Sequence, residues 1–127
     1  MPPSEDAQLL LRIVERHLRS LTFSLDDQFP AEDWGFTAQQ AVEKLLKCWI
    51  VLADGEPPRS HELDLLASEA NLELTDLLLD LQPFAVEARY QDGDFKLPAS
   101  RTRILDEIQL LADQLRQAIE ARRNINP

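Results

Sequence analysis

Apolar residues in this chain recur at steps of three and four, and no stretch alternates apolar with polar residues over the length of a strand. Such steps fall on one face of a helix, whereas a strand needs a period of two. Leucine is the main apolar residue, with 23 copies, and β-branched residues are few, a bias that favours helix over strand. The chain is therefore predicted to be all-α.

The first stripe is Leu11, Val14, Leu18, Leu21 and Leu25. It predicts a helix over about 5–25, with Ser4 as its N-cap and Glu5 and Asp6 in the first turn, where the helix dipole favours acids. Pro30 marks a break. A second helix starts between 31 and 37 and reaches about 53, with Ala38, Val42, Leu45, Trp49 and Leu52 as its stripe. Thr37 with Gln40 fits a capping box, which favours the later start. Asp54-Gly55 followed by Pro57-Pro58 ends it. A short third helix over about 60–70 has Ser60 as its cap and Leu63, Leu66 and Ala67 inward. A fourth, over about 75–90, carries Leu77, Leu78, Leu81, Phe84, Ala85 and Ala88, and Pro83 either kinks it or divides it. After a loop over 91–100, Ile104, Ile108, Leu111, Leu115 and Ala118 predict a last helix over about 101–123. The architecture expected is an antiparallel up-and-down helical bundle of four to five helices. At 127 residues it is expected to be one domain, with a core over about 5–122.

Composition excludes several kinds of chemistry. The single Cys48 rules out an internal disulfide framework and a multi-cysteine zinc site. Three glycines, at 35, 55 and 93, cannot form a glycine-rich phosphate loop. No serine stands in a Gly-x-Ser-x-Gly elbow, and no pair of acids is set apart from the rest. The beginning of the chain has no basic stretch leading into an apolar run, and no apolar run approaches a membrane span. With one cysteine, these features point to a cytoplasmic protein without a membrane partner. No cofactor and no metal are expected.

The formal net charge of -10 speaks against a broad nucleic-acid surface. The excess is local, however. Residues 54–94 hold eleven acids and two arginines, a net of -9, while the first, second and last helices are close to balanced. Lys44, Lys47, Arg89 and the C-terminal arginines stay available for one small anionic ligand.

Three constellations could carry chemistry. Gln40, Glu43, Lys44 and Lys47 lie three or four apart on one side of the second helix, where they could hold a phosphate or a nucleobase edge. The plainer reading is a solvated helix face with a Glu43–Lys47 ion pair. Arg89-Tyr90 pairs a bidentate phosphate binder with a ring that can stack on a base, or else closes a helix end and packs on the core. His17 and His61 are the only histidines. Arg12 and His17 lie five helical steps apart and so do not share a face, which makes His17 a residue at the edge of the core. His61 pins or caps the start of the third helix.

The strings GFTAQQAVEKLLK (35–47), PPRSHELDLL (57–66) and ARYQ (88–91) resemble the HEPN family, the higher eukaryotes and prokaryotes nucleotide-binding domain. The similarity covers roughly 5–122. It implies a bundle of four to five helices, frequent homodimers, and one of two functions. One branch consists of ribonuclease toxins with an Arg-x4-6-His motif late in the bundle. This chain departs from it, since no histidine follows Arg89 within range. The other branch is non-catalytic and acts beside small nucleotidyltransferases, in toxin–antitoxin-like pairs, by binding nucleotides or the partner protein. This chain is more similar to the second branch. The resemblance carries over Gln40, Glu43, Lys44, Lys47, His61, Arg89 and Tyr90 as ligand-binding positions and no catalytic residue. A ribonuclease and a plain helical dimerisation adaptor are the alternatives.

Overall fold

The computed structural model describes residues 3–90 and 95–125, apart from the side chains of residues 3, 4, 89 and 125. Within them the chain is all-helical. It runs α1 (Pro3–Phe23), α2 (Ala31–Leu52), α3 (Leu63–Glu69), α4 (Asp76–Leu79), a 3₁₀ turn (Gln82–Ala85), α5 (Glu87–Tyr90) and α6 (Arg101–Ile125). No helix among the described residues is long and apolar enough to cross a membrane.

α1 and α2 are antiparallel. The Trp34 indole, at the start of α2, donates to the Leu21 carbonyl near the end of α1 (3.2 Å), and the Cys48 thiol reaches the Ala7 carbonyl at the other end (3.6 Å). α6 lies beside both and runs in the direction of α2. Arg101, at its start, donates to the carbonyls of Ser24 and Phe29, while Arg122, near its end, reaches the Leu52 carbonyl (3.1 Å) and Asp54 (2.9 Å). The short elements between α2 and α6 form the broken return leg of a helical bundle.

The stripes read from the sequence are the core. Leu11, Val14, Leu18 and Leu21 of α1, Ala38, Val42, Leu45 and Leu52 of α2, and Ile104, Ile108, Leu111 and Leu115 of α6 are all buried. Leu25, Trp49, Leu77 and Ala118 are partly buried against them. α2 is covered on more than one side, because Ala41, Leu46, Cys48 and Ile50 are also buried.

The ends differ from expectation in instructive ways. α1 begins at Pro3, one residue before the expected cap, and the Ser4 side chain lies outside the described residues. α2 begins at Ala31, not at Thr37. Pro30 sits before it at φ -56, ψ 132, with Glu32 and Asp33 in the first turn. The Thr37 hydroxyl donates back to the Asp33 carbonyl (3.2 Å) and caps nothing. At the other end Asp54, rather than Gly55, takes the left-handed conformation (φ 65). The Gly55 N–H then closes onto the Ile50 carbonyl (2.8 Å) and the Asp54 N–H onto Val51 (3.0 Å), the paired bonds of a Schellman end. Asn71 (φ 57) ends α3 in the same way.

The predicted fourth helix is divided rather than kinked. Pro83 has no N–H, and in a continuous helix its ring would meet the carbonyl of Leu79, which is the last residue of α4. Thr75 caps α4 by accepting from the Leu78 N–H (3.3 Å). Of the loop expected over 91–100, residues 91–94 lie outside the described residues.

Gly35 matters because the Phe84 ring of the return leg lies directly on it, and a Cβ there would fall inside the ring's van der Waals envelope. Alanine would gain about 1 kcal/mol of helix propensity. Overpacking costs about 1–3 kcal/mol and outweighs it. Gly35→Ala is expected to lower stability by about 1 kcal/mol and Gly35→Val by more, read as a lower urea midpoint at unchanged slope.

Candidate functional site

The side chain at the centre of the site is Glu43, which is 0% exposed. A carboxylate buried alone would cost several kcal/mol and would take up a proton instead. Here four side chains surround it. Oε1 accepts from His61 Nδ1 (2.8 Å) and Gln39 Nε2 (3.3 Å), and Oε2 accepts from Lys44 Nζ (3.3 Å) and Lys47 Nζ (3.4 Å). Burial pushes the Glu43 pKa up, but the hydrogen bond from His61, the charges of Lys44 and Lys47 and the amide of Gln39 outweigh it. The net result lies below the ordinary carboxylate value. Glu43 is therefore an anion throughout the neutral range.

The helix period brings the α2 members together. Positions 39, 40, 43, 44 and 47 are successive neighbours at steps of one, three and four. Gln39 is also fully buried and serves as the bridge to the return leg, donating to the His61 carbonyl (3.1 Å). Gln40 donates to Gln39 Oε1 (2.9 Å) and accepts from Lys44 (3.2 Å), closing the network on the α2 side.

His61 comes from the segment ahead of α3, and Gln82 of the 3₁₀ turn fixes it from behind. The Gln82 amide donates to the His61 carbonyl (2.9 Å), and its oxygen accepts from the Leu63 N–H (2.6 Å). That last bond caps α3 from 19 residues away. This explains why α3 starts at Leu63 and not at Ser60, whose hydroxyl instead accepts from the Glu62 N–H (3.0 Å).

An ionised carboxylate can only accept, so His61 Nδ1 must donate. In the neutral ring this leaves a lone pair on Nε2. The His61 side chain is 67% exposed, and it lines a cleft of about 390 Å³ with Arg59, Ser60, Glu62, Gln82, Ala85 and Glu87. The arrangement is thus a buried anion with its counter-cations that orients one imidazole toward an open cleft.

Five of the seven residues expected at the site, Gln40, Glu43, Lys44, Lys47 and His61, form this one network. It is not the solvated face of the plainer reading, since Glu43 is wholly buried and Lys44 and Lys47 are 24% and 19% exposed. Tyr90 ends α5, three residues after the cleft residue Glu87, with 75% of its surface exposed. The side chain of Arg89 lies outside the described residues. Sequence reasoning missed Gln39 and Gln82. For Gln39 a signal existed: it precedes Glu43, Leu46 and Ile50 at steps of four, three and four, a second buried stripe on α2.

The other reactive side chains lie elsewhere. His17 is half-buried on α1, its pKa lowered by burial first and then by the charges of Lys44 and Arg16, which fits the expected residue at the core's edge. Burial pushes the Cys48 thiol up to about 12, so it is neither a nucleophile nor a ready metal ligand. Among the described residues no three of His, Cys, Asp and Glu are grouped to hold a metal ion.

Neither the curated proteins nor the solved structures include a match to this chain. A family model described as HEPN domain matches residues 7–125, nearly the whole length. The helical bundle agrees with that match, and the chain belongs to the HEPN domain family.

Proposed function

We propose that this chain is a non-catalytic HEPN module, folded as one cytoplasmic domain and dimeric, that binds a nucleotide or a small nucleotidyltransferase partner in a toxin–antitoxin-like pair. The observation that carries this reading is the Glu43 network. It engages both lysines of the expected face in holding one carboxylate, and the group it presents outward is a single oriented imidazole beside a cleft. An imidazole with Nδ1 engaged offers Nε2 as an acceptor to a base or hydroxyl, or as a donor to phosphate once protonated. Arg59, on the same cleft, suits phosphate as well. Tyr90 follows Glu87 by one helical turn and offers a ring for stacking.

Calorimetry with a panel of nucleotides tests this. Binding with a Kd in the micromolar range, about 1–100 μM, is expected and is lost in His61→Ala. No heat from any nucleotide at about 1 mM would remove the nucleotide half of the reading and leave only the protein partner.

One observation favours an enzymatic second reading. A carboxylate-backed imidazole is also how a general base is oriented, and Arg59 lines the same cleft. Cleavage of RNA by purified protein that disappears in His61→Ala would establish that reading in place of the first.

A further inference from the structure

We infer that the face formed by the C-terminal half of α1 and the middle of α6 is where a second copy of this chain docks. The inference rests on the dimer reading above and assigns the face. Two observations meet there. Phe23, the last residue of α1, is 88% exposed, the most exposed of the large apolar side chains among the described residues. It borders a groove of about 620 Å³ whose walls include Thr22 and four charged residues, Glu15, Arg19, Asp113 and Arg116.

Charge chooses the occupant. Residues 54–94, with their net of -9, repel a second copy, while the first and last helices are close to balanced. The groove carries two acids and two arginines and so is neutral. A second copy can therefore approach this face without that repulsion. A two-fold contact is self-complementary, each residue meeting the partner's counterpart of its own neighbour. Across it, the acids of one copy oppose the arginines of the other. Arg116 is engaged within its own chain, with Asp113 (2.6 Å) and Glu15 (3.8 Å), whereas Arg19 has no ion-pair partner among the described residues. In the dimer Arg19 faces Glu15 of the second copy, and the two Phe23 rings cover each other's grooves.

Sedimentation equilibrium of the full chain tests this. Wild type is expected to be a dimer. Phe23→Asp weakens it at least tenfold, as does Arg19→Glu, and Arg19→Glu combined with Glu15→Arg restores association by reversing the pair. Phe23 and Arg19 are exposed, so helicity and melting temperature stay near wild type; the charge reversal still decides the question if Phe23→Asp alone fails to fold. A wild-type dimer that neither single variant weakens overturns the assigned face and leaves the dimer reading standing. A wild type that is monomeric at several hundred micromolar overturns both.

Discussion

Replacing Glu43 by alanine is expected to lower the free energy of unfolding by about 2–4 kcal/mol. Removing one partner of a buried ion pair costs about 3–5 kcal/mol, because the charges left behind have lost their counter-ion. Lys44 and Lys47 are 24% and 19% exposed and recover some hydration by turning outward, which brings the expected loss below the top of that range. Gln39, fully buried, loses the acceptor of one amide hydrogen and cannot turn away, since its other bond holds the His61 carbonyl. The return leg should therefore loosen along with α2. The pH dependence gives a second readout. Glu43 has a folded pKa below its ordinary value, so the stability it contributes is complete above the ordinary carboxylate range and is lost as the pH falls through the folded value. The difference between wild type and Glu43→Ala, followed by urea denaturation from pH 7 downward, should stay level through the neutral range and shrink once the pH drops below about 4. A difference that stays constant down to the acid transition would show that Glu43 is not the ionised centre described.

Trp34→Ala is expected to cost about 3–5 kcal/mol, the range for removing a large aromatic from a core. Trp34 is wholly buried at the start of α2, and three elements meet on it. Its indole N–H holds the end of α1 through the Leu21 carbonyl, and the Arg101 guanidinium at the start of α6 lies over its ring at 5.8 Å. A cation over an aromatic face contributes about 0.5–2 kcal/mol. Arg101→Ala should thus cost less than Trp34→Ala, and a double-mutant cycle should show coupling of about 1 kcal/mol between the two. Trp34→Phe keeps most of the apolar volume and should lose about 1–2 kcal/mol, part of it from the lost indole hydrogen bond to the Leu21 carbonyl, which keeps only the Ser24 N–H (3.3 Å). If Trp34→Ala changes the unfolding midpoint by no more than Trp34→Phe does, the junction of α1, α2 and α6 does not depend on that ring.

The pattern of leucines made the long helices legible, because burial on one side of a helix leaves a period that one sequence can show. What it could not show were features decided by distant partners. Thr37 and Gln40 have the residue types and spacing of a capping box, yet α2 starts six residues earlier, where Pro30 fixes the entry and Trp34 must reach Leu21. Ser60 looks like a cap, but Gln82 takes that role for α3 from across the fold. The site was legible as a list of residues and not as a geometry. Gln40, Glu43, Lys44 and Lys47 share a helix face by arithmetic alone. That the face turns inward depends on His61 and on the return leg folding over it. A glutamate flanked by lysines reads locally as surface, and only the apolar neighbours Leu46 and Ile50 at helical steps hinted that this side of α2 is covered.

A buried, ionised Glu43 holds His61 through Nδ1 and leaves Nε2 bare on a ring that lines the cleft. Long-range ¹H–¹⁵N NMR of the two histidine side chains measures this directly. The neutral His61 ring is expected to carry its proton on Nδ1, leaving Nε2 bare, and addition of a binding nucleotide to shift the Nε2 resonance first. A neutral His61 ring protonated on Nε2 would contradict it.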